Sequence, residues 1–125
     1  MKETILTAIF AIVFFANTYA NPLVKEKTVV NYIEFCAKGE FDKTISLYDA
    51  DLATYIAPEE IRTIWNNTVN KSGKFLSINE MKTTKDGKFD ISTVVCQFEN
   101  GTCQFNFIFD EAGNLKSVVK NFCSK

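Results

Sequence analysis

The chain has 125 residues, 14 basic and 15 acidic side chains for a net charge of −1, and no histidine. The charges are interspersed, so no cationic stripe follows a phosphate backbone, and this argues against nucleic-acid binding. Without histidine there is no His-based triad, no His-ligated metal and no imidazole general base.

The chain opens Met1-Lys2-Glu3-Thr4 and then runs apolar over 5–16. A membrane-spanning helix needs roughly 20 such residues, whereas a secretory h-region needs roughly 7–15. Thr18-Tyr19-Ala20 places small side chains at the two positions a signal peptidase reads. The sequence therefore predicts a signal peptide over 1–20 and a secreted or periplasmic mature chain over 21–125. A buried core helix is the competing reading, but a stripe with no polar face does not suit so small a domain. No cysteine follows the cleavage point and no second long apolar stretch occurs. No lipid anchor there, and no stable membrane insertion after cleavage, is expected.

The remaining chain, about 105 residues, is one domain with a modest core. Its first half reads as helices. Pro22 suits a first helical turn, and Val29, Ile33 and Cys36 recur at helical spacing, with Val30 and Ala37 beside them. Gly39 closes this helix. A second, shorter helix fits Phe41, Ile45 and Tyr48, and Asp49-Ala50-Asp51 reads as a break. Pro58-Glu59-Glu60 opens a third, with its acids where the helix dipole favours them. Its apolar face is Ile61, Ile64, Trp65 and Val69, and Gly73 closes it.

The second half reads as four strands, over 75–84, 89–98, 103–110 and 115–122. Asp86-Gly87 makes the first turn. Asn100-Gly101 is a hairpin signal whose two positions both call for positive φ. In the third strand Cys103, Phe105, Phe107 and Phe109 share one face. Helices followed by a strand meander predict an α+β fold: about three N-terminal helices on one face of a four-stranded antiparallel sheet.

Four cysteines, Cys36, Cys96, Cys103 and Cys123, follow the signal. In an exported domain an even count reads as two disulfides. The alternatives are free buried thiols and a four-thiolate metal site. Zinc sites use close cysteine pairs, about two to four residues apart; here the closest pair, Cys96 and Cys103, has six residues between. With Asn100-Gly101 at the hairpin centre, Phe98 falls opposite Cys103 and Cys96 opposite Phe105. Cys96 and Cys103 then share a face on a diagonal. With a three-residue loop at the next turn, Cys103 faces Asn121 and Cys123 lies one diagonal away. Twist makes the two diagonals unequal, the one from Cys103 to Cys123 being the shorter. Disulfide Cα atoms lie within about 7 Å, so the expected bridges are Cys103–Cys123 and Cys36–Cys96. A one-residue slip in either turn reverses this argument.

From Gly39-Glu40-Phe41-Asp42, through Glu59-Glu60-Ile61 to Trp65, then Gly73-Lys74-Phe75 and Phe109-Asp110-Glu111-Ala112-Gly113-Asn114-Leu115, the chain resembles bacterial exported domains of unknown function. Those domains are placed in the nuclear-transport-factor-2-like superfamily, with ketosteroid isomerase and the SnoaL-like cyclases. The resemblance covers about 85 residues. It implies a strongly curved, cone-shaped sheet wrapped by helices with a pocket between them. It implies no reaction, because superfamily members include enzymes, binding modules and dimerising scaffolds.

The row Phe105, Phe107 and Phe109, joined by Tyr32, Tyr48, Tyr55 and Trp65, reads either as an apolar pocket or as core filling for a small domain. Isomerase chemistry needs a carboxylate base and a tyrosine or protonated acid, for which Tyr48, Asp49, Asp51, Tyr55 and Asp90 are the candidates. No catalytic motif matches. Three glycosylation sequons, at Asn66, Asn70 and Asn100, matter only in a eukaryotic secretory pathway. Trp65 and Arg62 read as an interface pair or, for Trp65, as a core anchor. The reading is a non-enzymatic exported domain, with no cofactor or metal, binding a small apolar ligand or a partner protein. A homodimeric scaffold and a carboxylate-base enzyme are the alternatives.

Overall fold

The structure is a computed structural model and describes residues 22–125. The predicted signal peptide lies outside the described residues. No helix among them is long and apolar enough to cross a membrane.

Helix α1 (Pro22–Ala37) buries Val29, Tyr32, Ile33 and Cys36. Tyr32 thus joins the predicted stripe, while Ala37 is exposed. The helix ends at Gly39, whose φ of +77° permits two closing bonds: Gly39 N–H to the Cys36 carbonyl (3.0 Å) and Glu40 N–H to that of Phe35 (2.8 Å). This is the Schellman pattern. The short helix α2 (Phe41–Thr44) and a 3₁₀ turn (Ile45–Leu47) follow. The predicted break at Asp49-Ala50-Asp51 is instead the start of a one-turn helix, α3 (Ala50–Ala53). The Asp49 carbonyl accepts from Leu52 and Ala53 N–H, so the acids belong to a helix start rather than a loop. Helix α4 (Pro58–Ser72) carries Pro58 at its first turn and buries Ile61, Trp65, Thr68 and Ser72. Ile64, placed on its apolar face by spacing, is 48% exposed.

Strands β1 (Phe75–Asp86), β2 (Phe89–Phe98), β3 (Gly101–Phe109) and β4 (Leu115–Ser124) form one antiparallel sheet in sequence order. The structure is thus α+β, with the helices packed against one face of an open sheet. In β2 and β3 burial alternates: Ser92, Val94, Cys96 and Phe98, then Cys103, Phe105, Phe107 and Phe109, face the helices. Strand β1 does not alternate. Bulges between Phe75 and Ser77 and between Ile78 and Glu80 each insert a residue, so its half-buried positions are Phe75, Ile78 and Met81. Trp65 anchors the far end of the core, with its ring 5.6–6.2 Å from those of Phe75, Phe98 and Phe105.

The β2–β3 hairpin is one residue out from the predicted register. Phe98 pairs with Gly101, so Glu99-Asn100 forms the loop and Cys96 falls directly opposite Cys103. Asn100 does not take a positive φ. The loop is held from outside: Asn100 N–H donates to the Ser72 carbonyl (2.8 Å) and Glu99 N–H to that of Lys74 (2.9 Å). These contacts override the local turn preference. Gly101 is needed for a different reason, since a Cβ there would lie 2.2 Å from the Ser124 carbonyl oxygen.

Cys103 and Cys123 are directly opposed and joined by a disulfide, their Cα atoms 4.0 Å apart. The expected bridge is present, though by direct pairing and not on a diagonal. The next loop spans 110–114, and two bulges, which skip Lys116 and Asn121 of β4, together move Cys123 into line. Cys36 and Cys96, expected to be bridged, are free buried thiols in this structure. The slipped register sets Cys96 directly opposite Cys103, so a second cysteine stands beside it within the sheet. With Cys103 and Cys123 bonded to each other, a four-thiolate site is not formed.

Candidate functional site

A cavity of about 210 Å³ lies between the helices and the sheet. Helix α1 contributes Tyr32 and Cys36, α4 contributes Ile61 and Trp65, and β3 contributes Phe105 and Phe107. These side chains converge because each element turns its apolar stripe to the same space. Val118 of β4 closes one side, and Glu60, Lys116 and Lys120 supply charge to the lining.

Of the aromatics named from sequence, Tyr32, Tyr48, Trp65, Phe105 and Phe107 line this cavity. Phe109 is fully buried in the core and Tyr55 is 83% exposed; neither lines it. Tyr55 follows one-turn helix α3, which turns it outward.

Tyr48 is positioned by a single bridge to Leu115 of β4, reinforced by Asp49 N–H donating to the Leu115 carbonyl (2.8 Å). Its hydroxyl meets that of Tyr32 at 2.8 Å, and the two rings pack edge to face. Tyr32 packs in the same way on Phe107, with centroids 5.2 Å apart. Burial pushes both phenols above their ordinary range, so both stay protonated at neutral pH. Two hydroxyls sharing one hydrogen bond leave a second O–H to donate, and the Thr44 hydroxyl lies beside that of Tyr32. Burial also pushes the Cys36 thiol up to about 12, with Cys96 adding to the effect.

Asp49 pairs with Lys116 (2.9 Å), and the carboxylate holds that ammonium above its usual range. Asp51 is exposed. Asp90 is bonded to Lys25, which holds its carboxyl below the usual range, with Lys85 helping from 3.3 Å. Asp110 is lowered by the Asn114 N–H. A carboxyl pushed down is not poised as a general base near neutrality. No group of three or more Cys, Asp or Glu among the described residues is arranged to hold a metal.

Trp65 is a core side chain at 6% exposure. Arg62 stacks over Phe41 at 5.3 Å and pairs with Glu59. Asn66, Asn70 and Asn100 are all exposed. Sequence reading passed over Val118, which its pairing with Phe107 turns inward, and the lysines at 116 and 120, which carry no signal distinguishing them from other surface lysines.

A family model described as protein of unknown function, DUF3887, matches residues 29–118. The chain belongs to this family. The matched DUF3887 span contains every residue named above as lining the cavity, except Lys120. No curated protein and no solved structure matches the chain.

Proposed function

We propose that this DUF3887 chain is an exported, non-enzymatic domain that binds a small apolar molecule in the cavity between its helices and its sheet. The observation that carries the reading is the cavity itself, walled by Tyr32, Ile61, Trp65, Phe105 and Phe107. A dry cavity of about 150 Å³ holds benzene; scaled to this one, the ligand buries about eight non-hydrogen atoms. That is one substituted ring or a short acyl chain. The second phenolic O–H of the Tyr32–Tyr48 pair, not used in their shared bond, favours a ligand with one oxygen acceptor. The resemblance to the nuclear-transport-factor-2-like superfamily supports the same reading, since its members place a pocket between sheet and helices. The apolar run over 5–16 and the disulfide support export.

Trp65 is the chain's single tryptophan and lines the cavity, so its fluorescence reports occupancy. Titration with p-cresol is expected to give a saturable 1:1 change that Val118→Phe, by filling the space, abolishes. A linear, non-saturating response in the parent protein would overturn the proposal.

A second reading is a homodimer packed through the outer sheet face. That face carries half-exposed Ile91, Val95 and Ile108 and exposed Val119 and Phe122, interspersed with Thr93, Gln104 and Asn106. It predicts a dimer mass in light scattering at high concentration; a monomer mass there removes it.

A further inference from the structure

Cys96, Cys103 and Cys123 form a single row across β2, β3 and β4 on the inward face of the sheet. The middle residue is bonded to Cys123 on one side and has a free thiol opposite it on the other. Directly opposed residues of an antiparallel ladder hold their Cα atoms about 4.5–5.5 Å apart. Disulfides span about 4.4–6.8 Å between Cα atoms. Cys103 therefore has two competent partners, and they lie on opposite sides of it.

We propose that the disulfide of this domain is exchangeable, moving from Cys103–Cys123 to Cys96–Cys103 and releasing Cys123 as a surface thiol. The Cys96 thiolate attacks Cys103 Sγ, a Cys96–Cys103 bond forms, and the Cys103–Cys123 bond breaks. The electron pair leaves on Cys123 Sγ, which takes up the proton lost by Cys96. Nothing is oxidised or reduced overall, so no external oxidant is needed. The row sets the attacking and the leaving residue on opposite sides of the residue attacked, the order such a displacement requires. It also supplies an asymmetry. Cys96 is fully buried, whereas Cys123 is exposed at the end of β4, so the leaving thiolate departs into water.

Burial pushes the Cys96 thiol up to about 12. The titratable group facing it is Cys36 of α1, raised to about the same value. Its neighbours along the row, Ile78 of β1 and the bridged Cys103, do not titrate. Ser72, at the end of α4, lies 3.5 Å from Cys103 Sγ and donates to it without charge. The reactive thiolate is therefore scarce at neutral pH, and the disulfide stays where it is until the pH rises or the sheet opens. The exchange unties the end of β4 from β3 and ties β2 to β3 in its place.

The test uses the full chain with Cys36→Ala, so that Cys36 cannot compete for Cys96. The oxidised protein is incubated with iodoacetamide and no reductant between pH 8 and 10, with circular dichroism confirming the fold. Peptide mapping is expected to find Cys123 alkylated and Cys96 linked to Cys103, at a rate independent of protein concentration. That rate rises about tenfold per pH unit, following the thiolate fraction. Cys96→Ala is expected to abolish the labelling of Cys123. Labelling that is absent throughout, or that persists in Cys96→Ala, overturns the proposal. A second variant, Cys123→Ser, tests the geometry alone. Oxidised glutathione should convert its Cys96 and Cys103 thiols to a disulfide and be reduced to two equivalents of glutathione. A glutathione adduct that remains on Cys103 with Cys96 still free contradicts the claim that the pair can bond.

Discussion

Lys25 of α1 is bonded to Asp90 of β2, with the lysine only 4% exposed and Lys85 of β1 adding a second contact. The pair pins the first helix to the sheet near the start of β2. Removing one member of a buried pair leaves the other charge without compensation. Asp90→Asn is therefore expected to cost about 3 kcal/mol, read as a drop in the urea midpoint at pH 7.

The same pair sets an acid limit. Lys25 holds the folded-state carboxyl of Asp90 below its ordinary range. Its contribution is then full above the unfolded value, about 3.9, and is lost as pH falls through the lower folded value. Urea midpoints of the parent should fall in that acid window. Asp90→Asn should lack this part of the decline; identical acid profiles for both proteins would contradict the assignment.

Much of the fold was legible, and the reasons are local. The alternation Cys103, Phe105, Phe107, Phe109 shows the inward face of β3 because the extra residues of the β3–β4 bulges, Lys116 and Asn121, lie on β4. Pro58-Glu59-Glu60 and Gly73 bracket α4 by chemistry at its own ends. Where distant contacts decide, the sequence was silent. The bulges of β1 convert a period of two into a spacing of three, hiding Phe75, Ile78 and Met81 as a strand face. The Glu99-Asn100 loop is set by Ser72 and Lys74, far from the Asn-Gly signal. For the candidate site, Trp65 and the phenylalanines could be read from spacing. The meeting of Tyr32 with Tyr48 could not, because it depends on a single bridge from Tyr48 to Leu115.

Gly101 sits against the last residues of β4, where a methyl group would lie 2.2 Å from the Ser124 carbonyl oxygen. Gly101→Ala forces that strand end away. A cost of about 1–3 kcal/mol is expected, as for overpacking, with faster amide exchange at Phe122–Ser124. Unchanged exchange there would show that the end of β4 is not seated as described.

Trp65 fills the space between Phe75, Phe98 and Phe105 and also walls the cavity. Trp65→Ala should cost about 4 kcal/mol, measured by thermal or urea denaturation. A cost below about 1 kcal/mol would mean that the side chain is not a core anchor.

Tyr48→Phe removes the shared hydrogen bond but leaves the ring. A stability loss of about 1 kcal/mol is expected. Removing both phenolic donors, in Tyr32→Phe with Tyr48→Phe, should weaken binding of p-cresol but not that of toluene, which offers no oxygen. Equal weakening of both would assign the two tyrosines to packing alone.

The central claim, that the space between helices and sheet is a binding site, is tested most directly by nuclear magnetic resonance shift mapping of the isotope-labelled chain during a p-cresol titration. The account predicts saturable shifts confined to Tyr32, Tyr48, Ile61, Trp65, Phe105, Phe107 and their neighbours. Shifts centred instead on the outer sheet face, at Val95, Val119 and Phe122, or none at saturating probe, would contradict it.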